Sequence, residues 1–352
     1  MTKRVNIILL ALLTLVLAAG CHRRPLEDMQ EKVKIRIKID VKAVPNVTTG
    51  IYNEKIPVPD LNTDMMRVLL YDVNSKNLLT QSFISNKEYD EDGNQVFNGE
   101  LSINYGEYDL LVYNFDTPTT QVTAENNEMN ILAYTPEIST AMRNRIMGGA
   151  KAEDEGPDAD EFSNILYEPD HLMVAHESQL EIAPHDTVIV IKTTASTIID
   201  TYYLQIHVEG MQYASAATAV ISGLSPSNHF GIPLRTDDPT ASEAFDLLKS
   251  TDRNIPGENK DVLCAVFNTF GKIPNVSSNL FVTFNVIDTA GNLQTYTASL
   301  DTVFQTEDAI ERHWLLITET FVIKPPTIEG GGSGGFQPKV DDWEEEQGSI
   351  TL

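Results

Sequence analysis

Cysteine, tryptophan and positive charge are all scarce in this chain of 352 residues: two Cys, two Trp, and 25 Lys and Arg against 51 Asp and Glu, a formal charge of −26. With so few thiols, an exported body of this size must hold together by its apolar cores. The shortage of cations disfavours a phosphate-backbone binder, whose affinity comes from clustered Lys and Arg releasing counterions. No nucleic-acid partner is expected. Catalytic and metal signatures are also missing. His176-Glu177 starts like a zinc-binding helix, but Leu180 stands where the second His belongs. Asp90-Glu91-Asp92-Gly93-Asn94 resembles a calcium loop until Gln95 occupies the position of the sharp-turn Gly, which leaves an acidic hairpin. No Gly-rich phosphate loop follows a strand, and no Gly-x-Ser-x-Gly elbow occurs. Cys264, within the apolar run Val262 to Phe267, reads as a small buried hydrophobe. No catalytic residue, metal ligand or cofactor is assigned, and an enzyme is not expected.

Long apolar runs are confined to the first twenty residues. Lys3 and Arg4, the stretch from Ile7 to Leu17, and Ala18-Ala19-Gly20 form the three parts of a secretory signal. The apolar part is short for a membrane span, which needs about twenty residues. Cys21 follows at once. A cysteine just after small residues is what the bacterial lipoprotein peptidase recognises, with Ala18 in place of the more usual Leu. The thiol is acylated and Cys21 becomes the new N-terminus. The competing reading is an ordinary signal peptide beside a chance cysteine. Residues 1–20 are therefore assigned to the signal and 21–32 to a tether.

What is present is strand pattern. Val33, Ile35, Ile37, Ile39 and Val41 alternate with polar residues, the period-two signature of a half-buried strand. Further strands are expected at Met66 to Tyr71 and Leu78 to Ile84, with strand character again at Val96-Phe97, Leu101 to Ile103 and Leu110 to Tyr113. Asp92-Gly93 marks a tight turn. Residues from about Thr140 to Glu161 crowd acids around Gly156-Pro157 and read as a solvated loop. Strand character returns at Leu172 to Ala175 and Leu180 to Ile182. The Pro184-His185-Asp186 turn is the expected domain boundary. Thr187 to Ile191, almost continuously β-branched, suggests a strand covered on both faces. Tyr202 to Val208, Ala217 to Ile221, Val262 to Phe267, Phe281 to Ile287, Leu293 to Leu300 and Trp314 to Ile323 complete the series, with Gly291-Asn292 joining two as a hairpin. One short helix is expected from Thr240 to Lys249, where Thr240 and Glu243 fit a capping box. The spacing suits an all-β chain of two tandem antiparallel sandwiches, at 33–184 and 185–325.

Residues 326–352 form a separate object. Gly330 to Gly335 is a flexible linker. Beyond it Phe336, Val340, Trp343, Ile350 and Leu352 sit among Asp341, Asp342, Glu344, Glu345 and Glu346. Such residues gain about 2 kcal/mol each only if something buries them; otherwise they are a frayed end. Three Asp-Thr triplets place Thr187, Thr289 and Thr302 in a pattern similar to the O-glycosylation acceptors of exported Bacteroides-type proteins, though Asp-Thr is also ordinary turn chemistry.

The lipoprotein cysteine, the segments Tyr108 to Asp116, Leu166 to His171, Val220 to Leu224 and Phe267 to Gly271, and the Gly-rich linker leading to Phe336 and Asp341-Asp342-Trp343 together resemble the fimbrillin-like lipoproteins of Bacteroidales. These are related to type V pili and catalogued as a family of unknown function. The likeness runs from about Val33 to Leu352. It implies transthyretin-like sandwich domains, an outer-membrane lipid anchor, a place at the cell surface, and a role in pilus assembly, anchoring or adhesion. In stalk members of the wider group a protease cuts after an early Arg, the first strand leaves, and the C-terminal segment of another subunit fills the groove by β-strand addition. Here Val33, Ile35, Ile37, Ile39 and Val41 resemble the displaced strand. Phe336, Val340, Trp343, Ile350 and Leu352 resemble the donor. Between Val41 and Met66, however, only Lys42 and Lys55 are basic, so no Arg is available for the cut. That suits an anchor, tip or stand-alone surface protein, with pilus subunits or a host or glycan ligand as partner. A glycan-binding accessory lipoprotein of a nutrient-uptake complex is the alternative. It would need an exposed aromatic platform, for which Trp314, Trp343, Tyr202, Tyr203 and Tyr213 are the available residues.

Overall fold

The computed structural model describes residues 32–48, 59–146, 164–183, 188–232, 234–235, 240–250, 260–273 and 280–327. Its first strands are β1 (Val33–Lys42), β2 (Met66–Asp72), β3 (Leu78–Ile84), β4 (Lys87–Tyr89), β5 (Gln95–Ile103), β6 (Gly106–Asn114), β7 (Gln121–Thr123) and β8 (Leu132–Tyr134). After a short helix at Thr140–Ile146 come β9 (Ile165–Leu166), β10 (Met173–Ile182) and β11 (Ile189–Thr197). The series continues with β12 (Asp200–Glu209), β13 (Ala214–Leu224), β14 (Ser227–His229), β15 (Leu234–Arg235) and β16 (Ala241–Asp246). It closes with β17 (Leu248–Ser250), β18 (Asp261–Thr269), β19 (Phe281–Asp288), β20 (Leu293–Ser299) and, after a helical turn at Glu307–Glu311, β21 (Trp314–Val322).

The chain is mostly β, as the alternation predicts. Eight strands in the order β3-β2-β6-β10-β11-β1-β5-β4 form one sheet, a curled half-barrel whose inner face closes on itself. Ile35, Ile37 and Ile39 of β1 there meet Val68 of β2, Phe97 of β5 and Val112 of β6. The opposite face of β2 and β6, carrying Leu69, Tyr71, Leu111 and Tyr113, is covered by Ile131, Ala133, Phe230 and Phe270. Burial on both faces explains why Met66 to Tyr71 reads as an almost unbroken apolar run. In the second half, the sheets β17-β18-β12-β21 and β20-β19-β13-β16-β9 share one core. Ile206, Leu263 and Phe267 of the first meet Ile221, Val282 and Phe284 of the second.

Several expectations need correction. The sheets are not purely antiparallel, since β1 runs parallel to β11, β12 to β21 and β16 to β9. Thr240 to Lys249 is not a helix. Ala241 to Phe245 is a buried strand between β13 and β9, and pairing on both sides overrides a capping spacing. Thr140–Ile146, expected as loop, is helical. β11 is covered on one face only: Ile191, Thr193 and Ala195 are buried, while Val188 and Val190 are 43% and 50% exposed. The expected boundary at Pro184-His185-Asp186 lies outside the described residues; β11, beyond it, belongs to the same sheet as β1. The chain changes sheet at Ile198-Ile199.

Turn chemistry follows the sequence closely. Asp90 to Asn94 and Asp288 to Asn292 share the pattern Asp-x-x-Gly-Asn and the same hairpin. In each, the Asp carboxylate accepts the Asn backbone N–H (2.7 and 2.9 Å) and the Asn side-chain amide (2.9 Å in both). The glycines, at φ +82° and +88°, take the left-handed conformation the turn requires. These bonds hold both carboxylates below their usual range, against a desolvation that opposes them most strongly at Asp288.

Candidate functional site

β1 sits inside its sheet, with every main-chain neighbour taken. It pairs with β11 from Ile35↔Ile189 to Lys42↔Ser196 and with β5 from Val33↔Ile103 to Val41↔Gln95. Val33, Ile35, Ile37, Ile39 and Val41 are at most 5% exposed. Five aliphatic side chains at about 2 kcal/mol each place on the order of 10 kcal/mol of burial in this one strand. Its exit is fastened as well. Asn46 donates to Asp200 Oδ1 (3.1 Å) and accepts from the Thr201 N–H (2.9 Å), while Trp314 Nε1 donates to the Thr48 carbonyl (2.9 Å). Removing β1 would therefore open a groove through the middle of the sheet and also cut a tie to the second half.

Farther along the same sheet, β6 and β10 are locked by a buried charge cluster that no sequence motif marks. Asp109 on β6, its side chain fully buried, receives Lys76 Nζ at 2.5 Å and the Gln179 N–H at 2.9 Å. Lys76 and Gln179 both hold left-handed backbone, at φ 58° and 57°, a conformation costly for a side-chain-bearing residue. Gln179 lies where the β6–β10 register slips between Glu177 and Leu180, so the bulge delivers its N–H to the carboxylate. Lys76 also reaches Glu128, which meets His176 Nε2 at 2.6 Å.

A second cluster lies where the halves join. Glu168 accepts the Asn268 N–H at 2.7 Å. Burial pushes its carboxyl up to about 7, Asp170 adds to the rise, and the Asn268 bond opposes it. Glu243 on β16 is 2% exposed, with one carboxylate oxygen lacking a hydrogen-bond partner. Burial holds it well above the carboxylate range, and Glu168 contributes to the rise. Asp170 is tied to the Thr119 and Thr120 N–H groups at 2.5 and 3.1 Å. His171, lowered by burial to about 4, spans Thr197 Oγ1 (3.0 Å) and Thr201 Oγ1 (3.3 Å). An open cleft of about 460 Å³ is lined by Glu168, Asp170 and Asn268 together with Thr119, Arg145 and Tyr167. Glu168 and Asp170 are spent largely on backbone donors, an arrangement that fastens segments together.

Among the described residues no group of three or more His, Cys, Asp or Glu is placed to hold a metal ion, and no helix is long and apolar enough to cross a membrane. Cys264 is buried, and burial raises its thiol. Trp314, Tyr202 and Tyr203 are committed to cores, so they offer no sugar platform. Sequence reasoning missed an exposed aromatic pair, one ring on the edge strand β3 and the other just past the end of β6. Phe83 and Phe115, each 48% exposed, meet edge-to-face at 5.1 Å, with the Arg67 guanidinium against both rings. Thr289 and Thr302 are exposed. Cys21, Lys55, Thr187, Phe336, Val340, Trp343, Ile350 and Leu352 lie outside the described residues.

Residues 20–246 match the model of a family described as "Domain of unknown function (DUF5119)". The chain belongs to this family. It is distantly related to a Bacteroides ovatus protein named "Putative fimbrium anchoring subunit Fim4B", at 22% identity over 217 residues, or 62% of this chain and 53% of that protein. The chain thus spans about half the length of that relative. A solved structure of a candidate adhesin from Bacteroides ovatus covers 88% of this DUF5119 chain and 98% of its own, at 17% identity and a TM-score of 0.54, a likeness of fold. The fimbrial anchor protein Mfa2 from Porphyromonas gingivalis covers 81% and 88%, at 10% identity and a TM-score of 0.44.

Proposed function

We propose that this protein is a non-enzymatic outer-membrane lipoprotein of the cell surface that anchors or assembles a type V pilus. It is held by acylated Cys21 and meets pilus subunits through β-strand addition. The observation that carries the reading is β1 itself, a doubly paired strand with its inward face fully buried, which begins twelve residues after the lipidation cysteine. A stalk subunit must give such a strand up. An anchor gains by keeping it, because β1 then links the lipid directly to the centre of a sheet. The relationship to a protein named as a fimbrium anchoring subunit supports the same role. Both halves are read as transthyretin-like bodies, and residues 336–352 as the segment offered to a neighbouring subunit. Thr187, Thr289 and Thr302 are read as O-glycan acceptors, the last two at exposed positions.

Protein purified from cells, analysed by mass spectrometry at its mature N-terminus, tests this directly. The expected species begins at acylated Cys21 and retains Val33 to Val41. An unmodified Cys21, or a chain starting beyond Val41, would refute the anchor. Cys21→Ser is expected to release the protein from the outer-membrane fraction. Deleting residues 336–352 is expected to abolish association with pilus subunits while Cys21 anchoring persists.

A further inference from the structure

We propose that the outward face of β1 and β11 lies flat against the anionic headgroups of the bilayer that holds the lipid anchor. The proposal deepens the anchoring reading and rests on it for the tether. The inward residues of β1 are aliphatic, and its outward ones are Lys34, Arg36, Lys38, Asp40 and Lys42. The register sets Arg36 beside Val190 and Lys38 beside Lys192 on β11, with Glu100 and Asn98 across on β5. Residues paired in this way share a face. With exposed Lys32 just before the strand, six bases stand against Asp40, Glu100 and, at the margin on β4, Glu88. The chain as a whole carries two acids for each base; on this face the ratio is inverted.

Two of these bases are already engaged, Arg36 with Glu100 at 2.7 Å and Lys38 with Asp40 at 3.2 Å. Both pairs are solvent-exposed, so they exchange readily for other anions. Val188 and Val190 are 43% and 50% exposed in the same stripe. The parity that turns Ile189 and Ile191 toward the core turns them outward, and apolar side chains there gain from contact with a surface.

The tether selects the bilayer as occupant. β1 runs parallel to β11 and reaches Ser196 at its end, so Val33 lies at the end of the sheet remote from the junction with the second half. Twelve residues, at most about 40 Å of chain, lead there from Cys21. A link this short holds the face at a high local concentration over the membrane. The acidic C-terminal segment is the rival occupant. It leaves beyond Val322, which pairs with Glu209 at the end of β12 remote from that same junction. The negative charge of the rest of the molecule is screened beyond about 8 Å at physiological salt, so the local face decides the contact.

The test uses residues 21–352 coupled through the Cys21 thiol to a maleimide lipid, in vesicles of phosphatidylcholine alone or mixed with phosphatidylglycerol. Amine labelling is read lysine by lysine. On the anionic vesicles Lys34, Lys38 and Lys192 are expected to label about fivefold more slowly, the factor that a basic residue near an anionic surface contributes, and high salt should restore the rate. Lys260 and Lys324 should not change. In Lys34→Gln/Lys38→Gln/Lys192→Gln the residual protection of Lys42 should be lost. Equal labelling on both vesicle types overturns the proposal, as does protection that disappears when residues 328–352 are removed. Chemical coupling replaces cellular acylation, so failure here leaves the Cys21→Ser fractionation result to judge the anchor separately.

Discussion

Replacing Glu168 with Gln should stabilise this protein at alkaline pH and leave it unchanged in acid. Glu168 titrates near 7 in the fold against 4.5 when free, chiefly because burial at the junction disfavours the carboxylate. The folded state therefore holds the proton more tightly than the unfolded chain. The stability this gives is fully present below about pH 4.5 and is lost as pH rises through about 7. The difference corresponds to roughly 3 kcal/mol at most. Gln keeps the shape and the oxygen that accepts the Asn268 N–H, so the substitution removes the charge with little else. Denaturant unfolding from pH 4 to pH 8 should show the two proteins equal at the acid end, with Glu168→Gln ahead by 1–3 kcal/mol at pH 8. His171 contributes with the opposite sign. Its imidazole is lowered by burial to about 4 from 6.5, so its share is present above about pH 6.5 and is lost as pH falls through about 4. Comparing variant with parent cancels that share. A stability difference that does not vary with pH, or a variant weaker at pH 8, would refute the assignment of Glu168 as a buried, proton-holding carboxyl. Glu243→Gln should act in the same direction. Because the Glu168 charge contributes to the rise at Glu243, the double variant should gain less than the sum.

Asp109→Asn should destabilise by about 2 kcal/mol in denaturant unfolding, because it removes the nearer of the two carboxylates that hold Lys76 and leaves Glu128 as its remaining counter-charge. Gly231→Ala should cost about 2 kcal/mol or more in the same assay, since a Cβ there would stand 2.0 Å from the Glu128 carbonyl oxygen, and backbone cannot yield as a side chain can. Cys264 should resist thiol reagents in the native protein and react only on unfolding; rapid native labelling would contradict its burial and raised thiol.

Features set by a few neighbouring residues could be read in advance, and features set by distant pairing could not. The alternation of Val33 to Val41 correctly predicts a strand with one buried face, because its period counts residues along a single chain. Nothing in that alternation says that Ile35 will lie beside Ile189 in parallel. The same blindness explains β11. Five β-branched residues before Lys192 suggest cover on both faces, yet within the sheet β11 meets only β1 and the first two residues of β10, and one face stays open. Thr240 to Lys249 failed differently. The Thr-x-x-Glu spacing is a sound helix start, but Glu243 is buried opposite Ile221 in a sheet, where cap chemistry has no weight. The junction acids carry no local signature at all, since the burial of Glu168 and Glu243 is made by segments that meet only after folding.

The basic face of β1 was in plain view as sequence, and its significance still depended on structure. Lys34, Arg36, Lys38 and Lys42 read as the wet side of an amphipathic strand, the ordinary fate of charged residues at alternate positions. That reading is correct and incomplete, because the chain as a whole carries two acids for each base. Only the register brings Lys192 from a strand far along the chain to the same face and turns Val188 and Val190 outward beside it. If the strand were removed by maturation, most of this positive surface would go with it. Retention of β1 and use of its outward face thus stand or fall together. A mature chain beginning after Val41 would remove the anchor reading and the membrane-facing surface in one observation.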